Sequence, residues 1–349
     1  MTTAVDGRSG SADVVGKCTA WTAGAADDAE RHLLGQPRLP PLTPPQMRPR
    51  LLLALVALPA TLAAQAPARA TPAFARADTA RLHRTLDSLA AAHRGVVGYA
   101  VHNLDTGERL VRRADEKFPT ASMIKVAVLV TVYDLIEKGL MSPDDRLTMA
   151  RIDKVPGSGV LQFMHDDLEL TVRDAAWLMS TISDNTATNL LLDKVGIRRV
   201  WEKMDSLGLT QTRVHAKVFR ARLTSVAPDS SDKYGLGVTT AREMTRLFAM
   251  MAEGGAVSAR SDSTMLDVLA HSEDYQMMQR YVSGVRAPRK TGATDQVRTE
   301  CALFYLQSRV AACVLTKDNQ DRRWLIDNEA QLTLAKMGQA ISVAWPRRR

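Results

Sequence analysis

The stretch FPTASMIKVAVLVTVYDL, residues 118–135, places a serine and a lysine three positions apart at the head of a strongly apolar run. Pro119 and Thr120 are typical of a helix start, and they predict a helix over residues 122–138 with Thr120 as its N-cap. Residues three apart share one face of a helix, so the amine of Lys125 can approach the hydroxyl of Ser122. A desolvated lysine loses its proton readily, which suits a base beside a nucleophile. The alternative is a capped helix whose lysine extends to solvent.

The rest of the chain alternates between strand-like and helical patterns. Two short β-rich runs, residues 96–101 and 108–111, flank a turn and predict a hairpin, and three more strand-like runs follow near the C-terminus. Between them, residues 120–270 are mostly helical in pattern, apart from a long irregular stretch at 209–238. We therefore expect an α/β (α+β) fold, in which an antiparallel sheet flanked by helices adjoins an all-helical subdomain, with the site in the cleft between them.

A second motif, Ser183-Asp184-Asn185, lies between two helical runs, 61 residues after Ser122. In such a loop, Ser183 is suited to pass a proton to a leaving nitrogen. The Asn185 amide is suited to orient both Lys125 and a substrate carbonyl, whereas Asp184 is better suited to hold the loop in place. The alternative is an N-cap cluster that starts the following helix.

A third motif, Lys290-Thr291-Gly292, lies on a strand-like segment. We expect Lys290 and the Thr291 hydroxyl to bind a substrate carboxylate, and Gly292 to let a ligand backbone lie along the strand edge. The N–H groups of Ala293 and Ser122 are candidates for the two donors of an oxyanion hole. The alternative is a strand lysine followed by a glycine bulge.

The three motifs, in this order and on these elements, resemble those of the class A serine β-lactamases and related penicillin-recognising serine hydrolases. The resemblance covers residues 78–345 and extends to GYAVHNLDTGERL (98–110) and LMSTISDNTATNLLLDKVG (178–196). It implies a β-lactamase/transpeptidase-like fold and an acyl-enzyme on Ser122. It also implies the roles given above for Lys125, Ser183, Asn185 and the Lys290 strand, and it suggests Arg298 as a second cation for the substrate carboxylate.

One part of the family pattern is missing. Class A β-lactamases carry a loop glutamate that activates the water for deacylation, but residues 206–228 contain neither Asp nor Glu. Asp229, Asp232 and His215 remain as candidate bases. A positioned base is worth about 10²–10⁴ in rate, so we expect fast acylation followed by slow hydrolysis of the acyl-enzyme.

Three functions are compatible with this pattern. The first is a hydrolase that opens β-lactam rings. The second is a D-Ala-D-Ala carboxypeptidase or an esterase of the penicillin-binding type, acting on a peptidoglycan stem peptide. The third, from another class, is a β-lactam-binding or sensor module without turnover, although a sensor usually needs a membrane tether.

Composition excludes several other classes of protein. The formal charge of +8 is scattered along the 349 residues without a nucleic-acid motif, so we expect no nucleic-acid partner. The seven histidines lack ligand spacing with cysteines or acids, which predicts no metal. We expect no cofactor and a monomer.

The N-terminal region has the layout of an export signal. Residues 47–66, MRPRLLLALVALPATLAAQA, combine a basic start, an apolar core and a small-x-small cleavage site. We therefore expect residues 1–46 to be non-native or disordered, with Met47 as the true start. Residues 67–77 are expected to form a flexible leader and 78–349 the hydrolase domain. The mature protein would be periplasmic or secreted, without a membrane span. In that compartment Cys301 and Cys313 either form a disulfide across a hairpin or remain two buried thiols.

Overall fold

The computed structural model describes residues 77–346. The predicted leader and signal segments, residues 1–46 and 47–66, lie outside the described residues, as do nearly all of residues 67–77. Within the described part, no helix is both long and apolar enough to cross a bilayer.

A five-stranded antiparallel sheet forms the centre of the structure. Its strands lie in the spatial order β2 (Arg109–Arg112), β1 (Val96–Asn103), β10 (Arg309–Lys317), β9 (Val297–Tyr305) and β8 (Arg289–Thr294). The N-terminal hairpin thus pairs with the meander formed by the three C-terminal strands, which gives the antiparallel sheet expected from the sequence. Small sheets of three and two strands lie elsewhere. The strands are β1 Val96–Asn103, β2 Arg109–Arg112, β3 Phe118–Pro119, β4 Arg146–Met149, β5 Leu168–Thr171, β6 Arg213–Val214, β7 Gly237–Thr239, β8 Arg289–Thr294, β9 Val297–Tyr305 and β10 Arg309–Lys317.

Helices fill the long insertion between the two parts of the sheet, and two more, α1 (Thr79–Ala92) and α10 (Glu329–Ala344), lie near the two ends of the described residues. They are α1 Thr79–Ala92, α2 Lys125–Glu137, α3 Val172–Thr181, α4 Asn185–Val195, α5 Ile197–Ser206, α6 Ala221–Thr224, α7 Pro228–Tyr234, α8 Ala241–Ala252, α9 Ala259–Ala270 and α10 Glu329–Ala344. Three 3-10 turns, at Ala121–Ile124, Arg151–Asp153 and Leu161–Phe163, complete the set.

Two apolar cores lie on opposite faces of the central sheet. On one face, α1 and α10 pack over β1, β9 and β10 through residues such as Leu86, Phe304 and Met337. On the other, the helical insertion surrounds α2, which is buried along most of its length. A helix that is apolar on every side belongs inside a protein, so α2 and the 3-10 turn before it are fixed between the sheet and the other helices.

The start of this central helix differs from the prediction. Thr120 does not cap it: its backbone is in the right-handed helical region, and its side chain makes no capping bond. The chain instead forms a 3-10 turn, and α2 begins only at Lys125. Thr171 and Thr240, by contrast, cap α3 and α8, since each side-chain oxygen accepts an N–H three residues later.

The meander also settles the state of the two cysteines. Cys301 of β9 lies directly opposite Cys313 of β10, with the Cα atoms 4.1 Å apart, and the two form a disulfide. Of the alternatives left open by the sequence, the bonded one is confirmed.

Candidate active site

Ser122 lies in the 3-10 turn that leads into α2, on the wall of a cavity of about 460 Å³. The preceding residue, Ala121, has φ of +46°, a left-handed conformation that is costly for a residue with a side chain. Within residues 77–346, the Ser122 hydroxyl has no hydrogen-bond partner. The serine is therefore held by its backbone while its oxygen faces the cavity.

Lys125 is only 1% exposed, at the first turn of α2. Its Nζ donates to the Ser183 carbonyl oxygen at 2.7 Å and to the Asn185 Oδ1 at 2.8 Å, and it lies 3.2 Å from the Ser183 Oγ. Desolvation by burial, reinforced by the positive charge of Lys290, lowers the pKa of Lys125 well below its usual value. The neutral amine that the sequence interpretation requires is thus favoured.

The Ser183–Asn185 corner is fixed by its own hydrogen bonds. Asp184 caps α4 through the Ala187 N–H at 2.9 Å, and its second oxygen accepts the N–H groups of Val160 and Leu161. Ser183 has φ of +56°, so the turn presents its hydroxyl to the cavity at some conformational cost. The corner therefore positions the acceptors around Lys125, and Asp184 itself is fully engaged in structure.

The Asn185 amide is oriented unambiguously by its second partner. Its Nδ2 donates to the Pro156 carbonyl oxygen at 2.9 Å, which leaves Oδ1 to accept from Lys125. Since an amide has donors on one side and an acceptor on the other, this arrangement fixes which atom faces the lysine.

Strand β8 is the edge of the central sheet and forms the part of the cavity wall next to the Ser122 turn. The N–H of Leu303 donates to the Pro288 carbonyl oxygen, which fixes the alternation of bonded pairs along β8 and β9. In an antiparallel pair, alternate residues turn their backbone groups away from the partner strand. The N–H groups of Thr291 and Ala293 therefore point outward along the free edge, beside the turn that holds Ser122.

Gly292 allows β8 to approach that turn. A Cβ at this position would lie 2.3 Å from the Thr120 carbonyl oxygen and 2.8 Å from the Met123 N. The Thr299 hydroxyl also donates to the Thr120 carbonyl oxygen, at 2.9 Å. The expected close approach of a backbone to Gly292 is thus made by the protein's own Thr120–Met123 segment.

Lys290 projects from β8 and lines the cavity with a side chain that is almost fully buried. Desolvation lowers its pKa to about 8, while the carboxylates of Asp274 and Glu300 oppose the shift. The site therefore contains two buried lysines, and the charge of Lys290 disfavours a charge on Lys125.

Asp274 is the site residue that the motifs did not indicate. The Thr291 hydroxyl donates to Asp274 Oδ2 at 2.8 Å, and Asp274 lines the same cavity as Ser122. It lies 17 residues before Thr291 in an irregular segment without a recognisable spacing, so the sequence offers no local signal for it.

Comparison with known proteins identifies a family to which this chain is similar. The model of the Beta-lactamase enzyme family matches residues 81–345, about three quarters of the chain. The chain belongs to this family.

Individual members of the β-lactamase family show the extent of the similarity. A β-lactamase of Streptomyces cellulosae is 31% identical over 214 residues, which cover 60% of this chain and 65% of that protein. The curated β-lactamases are matched over 30–65% of their own length.

Solved structures show the shared fold. The β-lactamase of Sphaerobacter thermophilus superposes with a TM-score of 0.67 at 28% identity, covering 76% of this chain and 97% of that one. An ancestral class A β-lactamase gives a TM-score of 0.67 at 23% identity, covering 75% and 99%. The resemblance inferred from the motifs, and the β-lactamase/transpeptidase-like fold, are confirmed.

In this β-lactamase family member, the structure does not bring Arg298 to the cavity. Its guanidinium donates to the carbonyl oxygens of Thr294, Val297 and Arg323, and it stacks 4.5 Å from the centre of the Trp324 ring. The Trp324 side chain, not Arg298, is part of the cavity wall described here. This geometry does not support the suggestion of a second cation for a substrate carboxylate.

The three candidate bases for deacylation also lie away from Ser122. Asp229 and Asp232 belong to α7, and neither is among the described residues that line the cavity. His215 is 1% exposed, with its Nδ1 3.1 Å from the Gly235 carbonyl oxygen, and burial lowers its pKa. Phe219 is the loop residue beside the Asn185 amide, since both side chains lie against Gly157.

The remaining titratable groups of the described residues offer no metal site. Histidine, cysteine and acidic side chains form no cluster of three between residues 77 and 346.

Proposed function

We propose that this protein is a serine hydrolase that opens β-lactam rings through an acyl-enzyme on Ser122. Family membership and fold support this reaction class. The observation that carries the proposal is the environment of Lys125, which is buried, favours the neutral amine and is bonded to the Ser183–Asn185 corner. A structural lysine would reach solvent or a carboxylate; this one meets carbonyl oxygens and a hydroxyl.

The Lys125 environment suits both protonation states. A neutral amine has two hydrogens, which go to the Ser183 carbonyl oxygen and to Asn185 Oδ1, while its lone pair can accept from the Ser183 hydroxyl. A protonated amine can donate to all three oxygens. Lys125 can thus gain a proton without a rearrangement of its neighbours, as a general base requires.

Acylation then follows from these positions. As Ser122 Oγ attacks the lactam carbonyl carbon, its proton passes to Lys125 Nζ, the buried amine three residues further along the same turn. The carbonyl oxygen becomes negative between the N–H groups of Ser122 and Ala293. The ring C–N bond breaks, and the Ser183 hydroxyl gives its proton to the nitrogen while accepting one from Lys125.

We further propose that hydrolysis of this acyl-enzyme is slow. Deacylation needs a base that activates water on the far side of the ester. Within the described residues, none of the candidate bases Asp229, Asp232 and His215 lines the cavity of Ser122, and the loop residue near Asn185 is Phe219, whose side chain is largely exposed. An apolar ring there neither accepts a proton nor orients a water molecule.

The test is intact-mass measurement during exposure to benzylpenicillin. The expected result is rapid addition of one penicilloyl group per chain, absent in Ser122→Ala, followed by slow return of the free mass. Steady turnover without an accumulated adduct would contradict slow deacylation, whereas no adduct and no turnover would contradict the function itself.

We also propose that the protein is exported to the periplasm or secreted. The disulfide between Cys301 and Cys313 supports this, because such bonds persist in oxidising compartments. N-terminal sequencing of the mature protein tests it: a first residue at or after Pro67 is expected, and a chain that starts before Met47 would contradict both the cleavage and the assigned start.

A further inference from the structure

The part of the cavity expected to bind a substrate carboxylate already contains a carboxylate of the protein. Asp274 Oδ2 accepts the Thr291 hydroxyl at 2.8 Å, and its Oδ1 accepts the N–H of Gln276 at 3.0 Å. Asp274 lines the same cavity as Ser122 and Lys290. Both of its oxygens are thus engaged, and the side chain is fixed against β8.

The backbone around Asp274 is also held firmly. Arg289 is 2% exposed, and its Nε donates to the Asp274 carbonyl oxygen at 2.9 Å while its Nη2 donates to that of Ser272 at 2.5 Å. Its guanidinium also stacks 4.2 Å from the centre of the Tyr275 ring. Because buried charge-assisted bonds are costly to break, the backbone of Asp274 keeps its place when a ligand enters, and its carboxylate is held there by Thr291 and Gln276.

The single hydrogen of the Thr291 hydroxyl limits the kind of ligand group that can bind beside it. The Thr291 hydroxyl has one hydrogen, which it gives to Asp274, and a carboxylate can only accept. A substrate carboxylate would therefore receive nothing from Thr291 and would approach the charge of Asp274, with Glu273 nearby on the same wall. A carboxamide or an ammonium group can instead donate to Asp274 or to the lone pairs of Thr291.

We propose that Asp274 is a specificity-determining residue and that the substrate of the Ser122 site presents a hydrogen-bond donor, a carboxamide or an ammonium group, to Thr291. The proposal rests on the acyl-enzyme function proposed above and narrows its substrate class. Lys290 still attracts negative charge into the cavity, but Asp274 offsets that attraction at the end where Thr291 lies.

The experiment compares two acyl donors that differ at one group. Benzylpenicillin and its 3-carboxamide derivative are offered to the full-length protein at pH 6.5, where Lys290 is protonated. The second-order rate constant for acylation of Ser122 is read from intact mass. Wild-type protein is expected to react faster with the carboxamide.

Asp274→Asn removes the charge and keeps the shape. It is expected to move the ratio of the two rate constants toward the carboxylate by about tenfold or more, as expected when one of two charges a few Å apart is removed. Glu273→Gln is the matched control: it makes the same charge change on the neighbouring exposed side chain, which does not bond to Thr291. It should move the ratio by less than about threefold.

The outcomes separate the two proposals. Faster reaction of wild-type protein with the carboxylate overturns the specificity inference and leaves the acyl-enzyme standing, whether or not Asp274→Asn folds. An unchanged ratio in folded Asp274→Asn overturns it as well. If neither compound modifies Ser122, the proposed function fails and the inference fails with it.

Discussion

The pH dependence of acylation tests the electrostatics of the cavity most directly. Lys290 is almost fully buried, and desolvation lowers its pKa to about 8. Below that pH the side chain is charged and attracts the carboxylate of benzylpenicillin; above it, the attraction is lost. A group with a lowered pKa gives up its proton as the pH rises, so the falling limb of the profile lies on the alkaline side.

The size of the fall follows from the protonated fraction. With a pKa of about 8, roughly 1% of Lys290 is charged at pH 10, so the acylation rate constant should fall about 100-fold from its plateau if only the charged form binds productively. The slope approaches one decade per pH unit. A neutral lysine that still binds weakly would flatten the slope but would not move the midpoint.

The assay is the second-order rate constant for acylation of Ser122, measured by rapid-quench intact mass from pH 6 to 10. Lys290→Arg is the matched variant, since a guanidinium remains charged across this range. It should react more slowly at its plateau, because the shape differs, but without the alkaline fall. A return to neutral pH, with recovery of the original rate, controls for unfolding.

Two results would refute the argument. A wild-type profile that stays level to pH 10 would mean that Lys290 keeps its proton or that its charge does not matter for binding. An alkaline fall of equal size in Lys290→Arg would assign the titration to another group. Either result would remove Lys290 from the carboxylate-binding role.

Three other changes test separate parts of the structure. Lys125→Met keeps the volume but removes the base, and should lower the acylation rate constant by about 10²–10⁴; a decrease below tenfold in folded protein would exclude the lysine as the base. Phe219→Glu places a carboxylate beside Asn185 and should raise the deacylation rate by up to about 10²–10⁴, whereas Phe219→Leu should not; equal rates in the two variants would show that the position does not limit deacylation. Replacing Cys301 and Cys313 together by Ala opens a loop with a sequence separation of 12 and should lower the free energy of unfolding, measured in urea, by about 3 kcal/mol; an unchanged value would mean that the disulfide does not form.

The sheet was predictable because its strands are long and apolar. β9 and β10 are buried on both faces along nearly all of their length, and the apolar runs CALFY of β9 and VAACVL of β10 are typical of buried strands. Pairing of Val96–Asn103 with Arg309–Lys317, more than 200 residues away, follows once no nearer partner of that length exists. The alternation of strand-like and helical patterns along the chain also predicts where the three motifs lie: at the start of a helix, between two helices and on a strand.

The local start of α2 was not predictable, since tertiary contacts override the capping signal there. The Thr120 carbonyl oxygen accepts bonds from Thr299 Oγ1 and Met123 N, and Gly292 lies against it. Meeting those partners requires Thr120 to be helical and Ala121 to be left-handed, which leaves the Thr120 hydroxyl buried without a partner. Thr120, whose type favours an N-cap, thus adopts a helical conformation without capping α2. Such conflicts between local propensity and the observed structure are expected at functional sites.

Asp274 escaped prediction for a different reason. Its contact with Thr291 depends on where the segment after α9 returns to β8, which no periodicity specifies. Arg289 holds that segment, yet in the sequence it is only the residue before the Lys-Thr-Gly motif. A contact made by an irregular segment across 17 residues becomes visible only in three dimensions.

The contact between Asp274 and Thr291 helps to explain why β8 and β9 contain buried charged residues. Arg289 and Glu300 are 2% and 0% exposed, and Arg289 Nε lies 3.9 Å from Glu300 Oε1, an oxygen that has no hydrogen-bond partner among the described residues. Burial raises the pKa of Glu300 to about 8, so the pair contributes little to stability by charge attraction alone. Its geometric effect is larger: Arg289 fixes the carbonyl oxygens of Ser272 and Asp274, while Glu300 accepts the N–H of Met278. A leucine or methionine at 289 would fill the same space but would remove the bonds to the carbonyl oxygens of Ser272 and Asp274 and so loosen the contact of Asp274 with Thr291. The charges are therefore better explained by the shape of the cavity than by the stability of the sheet.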